Sequence, residues 1–258
     1  CLVEIMDCLK SLIDDSIITY ENNRFLLNSD IDLTSRIDTG GIFRDSLNRF
    51  KTLTEHRPLP IADYDQGLMT PESVAAKATF MYERGDLEGE RILVLGDDDL
   101  FSIYAGLTGL PEEIVVIELD SRIVEFITSV AEEEDLNIKV LKKDLSKPLN
   151  MDSEFTAFVS EPPESLGGLK MFTLAGINSI RMHGAGYVGL TRLESSMSKW
   201  LAFQEWLISL NMVITDLIRD FSLYPEKMNE WEHFYRRYPM MKQTPFSLEL
   251  PDVDWYKS

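Results

Sequence analysis

The most concentrated group of ionisable side chains considered for a site is a run of three carboxylates, Asp97, Asp98 and Asp99, that follows Gly96. The residues before the glycine, Ile92–Leu95, are all apolar, which is typical of a strand that is buried on both faces and ends at a tight turn. Adjacent carboxylates repel one another, so the cluster is unfavourable in its ionised form unless a cation binds beside it. We therefore expect this acidic turn, Gly96–Asp99, to face a cationic substrate. An ordinary acidic surface turn is the alternative.

A second predicted strand, Ile114–Ile117, also ends in acidic residues. Glu118 comes about 20 residues after Gly96, where an acid can accept hydrogen bonds from a ribose diol. Asp120 is the alternative for that role, and either residue could instead cap the helix that follows.

Acidic residues also close the next two predicted strands, since Asp144 follows residues 139–141 and Glu161 follows residues 157–159. This repeated strand, turn and helix pattern predicts an α/β fold with a doubly wound, Rossmann-like parallel sheet around a nucleoside pocket. Of the dinucleotide-binding glycine pattern only Gly96 is present, and no Gly-Lys-Ser/Thr loop occurs. NAD and ATP are therefore poorly supported, and a nucleoside without phosphates is favoured.

The remaining elements are predicted from periodicity and from turn-forming residues. We expect helices over residues 2–14, 72–84, 100–107, 122–134, 167–180 and 196–210, a hairpin over 17–27, and further strands at 186–191, 212–214 and 255–258. His183–Gly184 should form a turn, and residues 30–72, with scattered glycines and prolines, an irregular connection.

The N-terminal helix and hairpin resemble part of a winged-helix unit, but Lys10 is the single basic residue of that helix. DNA binding needs Lys or Arg for the phosphates, so we interpret the unit as a packing or dimerisation module. The predicted domains are residues 1–57, a winged-helix-like unit with a linker, and residues 58–258, the Rossmann-like domain.

Composition restricts the partners. With 44 acidic and 25 basic residues among 258, the formal net charge is −19, which opposes binding to nucleic acid and to anionic membranes. No apolar run is long enough to span a membrane, and Cys1 and Cys8 can build neither a disulfide framework nor a zinc site, so we expect a cytoplasmic protein. The three histidines are isolated in the sequence, which argues against a metal centre or a catalytic triad. Because the chain begins at Cys1 rather than Met, we expect a processed or trimmed N-terminus.

Several motifs occur together. They are Tyr64–Gln66, Tyr82–Gly89, Leu95–Leu100 with Gly-Asp-Asp-Asp, Leu107–Pro111 and Pro162–Glu164. With these motifs the sequence resembles the branched-chain polyamine synthases, also called N4-bis(aminopropyl)spermidine synthases, which have a class I methyltransferase-like fold.

The resemblance implies transfer of an aminopropyl group from decarboxylated S-adenosylmethionine to the N4 amine of spermidine, and then to the resulting tertiary amine, with release of methylthioadenosine. Decarboxylated S-adenosylmethionine would be a co-substrate, no cofactor would be permanently bound, and a homodimer is expected. The donor carries an ammonium and a sulfonium but no carboxylate, so Asp97, Asp98 and Asp99 would attract it and repel ordinary S-adenosylmethionine.

The resemblance also implies residue roles. Glu161 would hold the acceptor amine and accept its proton, Glu118 would bind the ribose, and Asp144 would bind the adenine amino group. The acceptor would be bound by a set of four residues, namely Tyr64, Asp65, Gln66 and Glu164. The family usually has Asp before Pro-Pro, and the extra methylene of Glu161 shifts the carboxylate by about 1 Å.

Two other functions stay open on the sequence alone. The same fold and acid-Pro-Pro turn serve S-adenosylmethionine-dependent methyltransferases, which use the carboxylated donor. A non-catalytic relative would instead bind a polyamine or a nucleoside without turnover.

Overall fold

The computed structural model divides into two compact units, residues 1–41 and residues 42–258. It describes residues 9–10, 12–13, 18–21, 24–27, 39–61, 64, 66–149, 151, 154–163, 165–190, 196–225 and 255–257. The division between residues 57 and 58 that we expect from the sequence stays a prediction.

The first unit contains the predicted hairpin. Strand β1 (Ile18–Glu21) pairs antiparallel with β2 (Arg24–Leu27), as the apolar runs on either side of a polar turn predict. Of the predicted helix over residues 2–14, the structure describes residues 9, 10, 12 and 13, and all of these are helical. The winged-helix interpretation stays a prediction.

The second unit is built on a parallel five-stranded sheet with the strand order β5-β4-β3-β6-β7. The helices and strands from Thr39 onward are α1 (Thr39–Leu53), α2 (Pro71–Glu83), β3 (Arg91–Leu95), α3 (Phe101–Leu107), β4 (Glu113–Glu118), α4 (Ser121–Glu133), β5 (Ile138–Lys142), β6 (Phe155–Ser160), α5 (Leu166–Ile177), β7 (Ile180–Val188), α6 (Met197–Ser209), β8 (Leu223–Pro225) and β9 (Trp255–Lys257). The predicted doubly wound parallel sheet is confirmed.

Strand β3 lies at the centre of the sheet and is buried on both faces. Ile92 and Val94 pack into the apolar layer that contains α2, α3 and α4, while Leu93 and Leu95 pack into the layer that contains α5. This alternation follows from the two-residue period of a strand, and it explains why the sequence of β3 is a continuous apolar run.

Helix α2 begins as the sequence predicts. The Thr70 hydroxyl accepts a hydrogen bond from the Ser73 N–H, and Pro71 occupies the first turn.

The prediction of an irregular connection over residues 30–72 is wrong for residues 39–53, which form α1. Gly40 and Gly41 suggest a break, yet both lie in the first turn, where intrahelical hydrogen bonds are incomplete in any helix. Beyond them Phe43, Leu47 and Phe50 recur at helical spacing and pack into the core.

Two predictions about the segment after α5 are also wrong. His183–Gly184 does not form a turn but lies within β7, where the pairing with β6 shifts register and His183 has φ +70°. This irregularity is a bulge, which interrupts the sequence pattern without ending the strand. Met212–Ile214 forms no strand, since Val213 is 81% exposed and the run of three residues has no neighbouring strand. The strand predicted over residues 255–258 is present at Trp255–Lys257 as β9, paired with β8 in a separate two-stranded sheet, and residue 258 lies outside the described residues.

None of the helices in the described part of the chain combines the length and the apolar character needed to cross a membrane.

Candidate active site

The register of the sheet brings three of the predicted site segments together. Leu95 pairs with Ile117 on β4 and with Ser160 on β6. The next residue of each strand is therefore at the same edge of the sheet, and these residues are Gly96, Glu118 and Glu161. The chain order reverses direction between β3 and β6, and ligands bind outside the carboxyl ends of strands at such a switch point.

Gly96 makes the tight turn that the sequence predicts. Its φ is +71°, a conformation that side chains other than glycine rarely adopt. Its N–H donates to the Ile117 carbonyl at 2.9 Å, which ties the turn to β4. The acidic residues that follow are thereby fixed at the centre of the sheet edge.

Asp97 is buried, with 2% exposure, and faces the start of α3. Its carboxylate accepts hydrogen bonds from the Ser102 N–H at 3.2 Å and from the Ser102 hydroxyl at 2.5 Å. Burial raises the pKa of Asp97 from its ordinary value to about 8, although the Ser102 hydrogen bonds act in the opposite direction.

Asp98 and Asp99 hold the segment that leads into α2. The Gly67 N–H donates to Asp98 Oδ2 at 3.0 Å, and the Met69 N–H donates to Asp99 Oδ1 at 2.6 Å. Burial and the neighbouring Asp99 raise the pKa of Asp98 well above its ordinary value. Burial, followed by the charge of Glu161, raises the pKa of Asp99 to about 6. The surroundings of the acidic turn thus do not fully balance three negative charges, so its carboxyls favour their protonated forms until a cation compensates them.

Arg57 is a member of the site that has no signal in the sequence. Its guanidinium donates to the backbone carbonyl of Asp98, and its Nε atom is buried without a hydrogen-bond partner among the described residues. Burial lowers the pKa of Arg57, whereas the three aspartates act to raise it. The guanidinium therefore partly offsets the charge of the acidic turn. Among the described residues, its hydrogen bond to the turn is to a backbone carbonyl and not to a carboxylate.

Glu118 joins the ends of β3 and β4. Its Oε2 atom accepts the Asp97 N–H at 2.9 Å, and its Oε1 atom accepts the N–H groups of Leu119 and Asp120 at 2.6 and 2.8 Å. The side chain is buried at the predicted position, and its role in ribose binding stays a prediction.

Asp120, the alternative to Glu118, caps helix α4. It accepts the Arg122 N–H at 2.9 Å and pairs with the Arg122 guanidinium at 2.5 Å. The Arg122 and Gln66 side chains, which donate to Asp120, lower its pKa against the effect of burial. The capping alternative that the sequence left open is therefore confirmed for this residue.

Gln66 lies at the end of β4, beside the predicted ribose-binding residues. Its Nε2 atom donates to Asp120 at 3.0 Å, and its Oε1 atom accepts the Ile61 N–H at 2.9 Å. Tyr64 is 43% exposed. The other two predicted acceptor-binding residues, Asp65 and Glu164, lie outside the described residues.

Asp144 lies at the neighbouring strand end, two residues after β5. The Lys143 N–H donates to the Glu118 carbonyl at 3.0 Å, which places Asp144 next to the β4 end. Its carboxylate accepts the Ser146 N–H at 2.9 Å, and hydrogen bonds from the side chain and the backbone of Ser146 lower its pKa. Its predicted contact with adenine stays a prediction.

Glu161, at the end of β6, is held by contacts at both oxygens. Lys77 on α2 forms an ion pair with Oε1, and the Tyr224 hydroxyl donates to Oε2 at 3.0 Å. A Cβ atom at Gly189 would overlap the Glu161 carboxylate, so the absence of a side chain there makes room for it. A cavity of about 560 Å³ beside β6, β7 and α6 is lined by Glu161 and Lys77, and none of Asp97, Asp98 or Asp99 lines it.

Lys77 was not predicted as a site residue, although the sequence contained a signal for it. Val74, Ala78 and Met81 form the buried stripe of α2, and Lys77 occupies the same stripe with 8% exposure. A lysine at a buried position of an amphipathic helix requires a partner, and the partner is Glu161.

The described residues contain no group of three or more His, Cys, Asp or Glu side chains arranged to hold a metal ion. What the arrangement offers chemically is a buried acidic turn that attracts a cation, next to a carboxylate that can hold an amine or take up a proton.

Comparison with known proteins points in one direction. The model of the branched-chain polyamine synthase A C-terminal domain matches residues 45–258. The chain is 41% identical over 226 residues to an N(4)-bis(aminopropyl)spermidine synthase of Methanocaldococcus jannaschii, and 38% identical over 218 residues to one of Thermus thermophilus. These alignments cover 84% and 81% of this chain but only 61% and 60% of the two relatives, so the chain spans about three fifths of their length.

Solved structures agree with these relatives. The branched-chain polyamine synthase of Thermus thermophilus, crystallised with N4-aminopropylspermidine and 5′-methylthioadenosine, has a TM-score of 0.74 and 31% identity, covering 96% of this chain and 75% of that one. A putative RNA methyltransferase of Pyrococcus horikoshii shares the fold, with a TM-score of 0.55 and 17% identity over 67% of this chain and 85% of that one.

Proposed function

Because the chain belongs to the branched-chain polyamine synthase family, we propose that it transfers an aminopropyl group from decarboxylated S-adenosylmethionine to the N4 amine of spermidine. The products are a branched polyamine and methylthioadenosine. The observation that carries the proposal is the acidic turn at the switch point, where burial raises the pKa values of Asp97, Asp98 and Asp99.

The acidic turn suits the decarboxylated donor. The donor brings an ammonium and a sulfonium, so the aspartates can return to their ionised forms against a positive charge. The carboxylate of ordinary S-adenosylmethionine would be repelled by the same three side chains. Glu118 binds the donor's ribose and Asp144 its adenine amino group in this proposal.

The reaction is a displacement at carbon. The lone pair of the acceptor nitrogen attacks the methylene carbon bonded to sulfur, and the carbon–sulfur bond breaks with its electron pair going to sulfur. The sulfonium thereby becomes the neutral thioether of methylthioadenosine. The proton of the secondary amine passes to Glu161, which lies at the neighbouring strand end.

The acceptor carries several ammonium groups. We assign them to Tyr64, Asp65, Gln66 and Glu164, as the resemblance to the family implies. Of these, Gln66 is supported by its position at the β4 end, where it donates to Asp120. The acceptor nitrogen must approach from the side of Glu161 if that residue is to take its proton.

We also propose a cytoplasmic homodimer that binds neither nucleic acid nor membranes. The net charge of −19 supports the second part, because it opposes binding to polyanions. Size-exclusion chromatography with light scattering measures the oligomeric state, and a monomer at micromolar concentration would remove the dimer from the proposal.

The activity is tested by mass spectrometry of spermidine incubated with the protein and either the decarboxylated or the ordinary donor. We expect one or two aminopropyl additions with the decarboxylated donor alone. Methyl additions with the ordinary donor would instead identify a methyltransferase. Binding of a donor without any product would identify a non-catalytic relative.

A further inference from the structure

Lys77 is a buried cation that the proposed reaction does not use. Only 8% of it is exposed, and it projects from the buried stripe of α2 among Val74, Ala78 and Met81. Burying an ammonium is costly unless an anion and hydrogen bonds compensate it. The contacts of Lys77 must therefore compensate the cost of burying its charge.

The contact of Lys77 is with the proposed proton acceptor. Its Nζ atom pairs with Glu161 Oε1, while the Tyr224 hydroxyl donates to Oε2 and the backbone of Gly189 leaves room for the carboxylate. The ion pair is itself largely withdrawn from solvent, with side-chain exposures of 9% for Lys77 and 18% for Glu161. Glu161 is thus held by side chains from two segments, α2 and β8, in the space that Gly189 leaves open.

The charge of Lys77 also reaches the acidic turn. Asp99 is buried, accepts the Met69 N–H from the segment that leads into α2, and follows the end of β3, which is paired with the end of β6 that precedes Glu161. Both Lys77 and Glu161 act on it electrostatically. Lys77 therefore stands in the field of two carboxylates, one on the proposed acceptor side and one on the proposed donor side.

We propose that Lys77 is a positioning residue that joins the two halves of the site: its ammonium fixes the Glu161 carboxylate for the acceptor amine and balances the charge of Asp99. The first half of this inference rests on the proposed function. The second half concerns the charges of the free protein and is independent of it.

The direction of the effect on Asp99 follows from its surroundings. Burial and Glu161 raise the pKa of Asp99 to about 6, while Lys77, the Met69 N–H and Arg57 oppose them. Two further carboxylates, Asp97 and Asp98, lie on the same turn and interact with Asp99. Loss of the Lys77 charge leaves Glu161 unopposed, so Asp99 should hold its proton to higher pH.

The test is a titration of the free protein by carbon-13 NMR of labelled aspartate carboxyls, with Asp99 assigned from the signal lost in Asp99→Asn. We expect the Asp99 midpoint to rise by about one pH unit in Lys77→Met and to stay near the wild-type value in Lys77→Arg. Lys139→Met, which removes an exposed lysine on β5, is the matched control and should leave the midpoint unchanged.

A second variant keeps the inference testable if Lys77→Met does not fold. Glu161→Gln removes the neighbouring negative charge and should move the Asp99 midpoint down, opposite to the effect of Lys77→Met. An unchanged Asp99 midpoint in the folded variants would overturn the charge-balancing role, whether or not the protein is an aminopropyltransferase.

The positioning role is read from the rate of aminopropyl transfer. We expect Lys77→Met to lower it by about 100-fold at unchanged fold, because a displaced catalytic group costs about that much, and Lys77→Arg to restore most of it. Wild-type rates in Lys77→Met would overturn this role. Absence of transfer in the wild-type protein would instead count against the proposed function, while the Asp99 titration would still decide the charge-balancing role.

Discussion

Two neighbouring strand ends of this protein hold carboxylates whose negative charges are compensated in different ways. At the end of β3, burial raises the pKa values of Asp97 and Asp99, although the backbone and hydroxyl hydrogen bonds that they accept act in the opposite direction. At the end of β6, Glu161 pairs directly with the ammonium of Lys77. Carboxylates at the same edge of the sheet can therefore differ in protonation behaviour, because the groups that compensate their charges differ.

This difference matches the two substrates of the proposed reaction. The donor is a cation that must be drawn in, and a turn with uncompensated negative charge favours it. The acceptor nitrogen must lose its proton before or during attack, and a carboxylate held in place beside it suits that step. Variants that alter the carboxylate of one strand end should therefore change mainly the step assigned to that end, while Lys77 and Glu161 still couple the two ends through their effect on Asp99.

The largest effect is expected from Glu161→Gln, which removes the proton acceptor but keeps the shape of the side chain. Aminopropyl transfer should fall by about 1,000-fold, within the range typical of a lost general base, while donor affinity stays nearly constant. Initial rates by mass spectrometry and donor binding by calorimetry measure the two quantities.

Glu125→Gln, at an exposed position of α4, is the control for this substitution. Normal turnover in Glu161→Gln would refute the role of Glu161. An equal loss of donor affinity would show that the two strand ends do not act separately.

Gly189→Ala tests the same strand end without changing any charge. The added methyl group would overlap the Glu161 carboxylate and displace it by about 1 Å or more, so transfer should fall by about 100-fold with donor affinity retained. Gly167→Ala is the matched control, because a Cβ atom there meets no other atom within 4 Å. If both alanine variants turned over at the wild-type rate, the carboxylate position would be unimportant.

Asp98→Asn tests the other strand end. The asparagine oxygen can still accept the Gly67 N–H, so the charge is lost while the contact is kept. We expect affinity for the decarboxylated donor to fall by about tenfold, which corresponds to about 1.4 kcal/mol, and transfer at saturating donor to change less. Asp45→Asn, on the exposed face of α1, is the control, and undiminished donor affinity in Asp98→Asn would remove Asp98 from the donor site.

The last prediction concerns stability rather than catalysis. Since the pKa of Asp97 is raised to about 8, the folded protein binds a proton that the unfolded chain has released, and the free energy of unfolding should fall as the pH rises from about 4 to 8. Asp98 and Asp99 contribute with the same sign. Asp97→Asn should flatten this dependence, and urea unfolding at several pH values measures it. Parallel curves for the wild type and the variant would contradict the raised pKa.

Much of the sheet was predictable because its signals are local. The apolar runs of β3 and β4, the glycine at position 96 and the Thr70–Pro71 helix start each specify structure within a few residues. The carboxyl-edge placement of the acidic turn and Glu161 followed from the alternation of strands and helices.

The parts of the fold and of the site that were not predicted depend on contacts between segments that are distant in the sequence. Gly67 and Met69 bind the acidic turn through backbone N–H groups, which leave no mark in side-chain chemistry. Arg57 lies 41 residues before its partner Asp98, and helix α1 was missed because its two glycines suggest a break. Lys77 alone carried a usable signal, as a charge on the buried stripe of a helix.

The most direct test of the proposed function is the affinity of the wild-type protein for the two donors, measured by calorimetry under identical conditions. The electrostatic state of the acidic turn predicts that decarboxylated S-adenosylmethionine binds at least about tenfold more tightly than S-adenosylmethionine, since the two differ only by the carboxylate. Equal affinities, or tighter binding of the carboxylated donor, would contradict the assignment of the acidic turn to the aminopropyl donor.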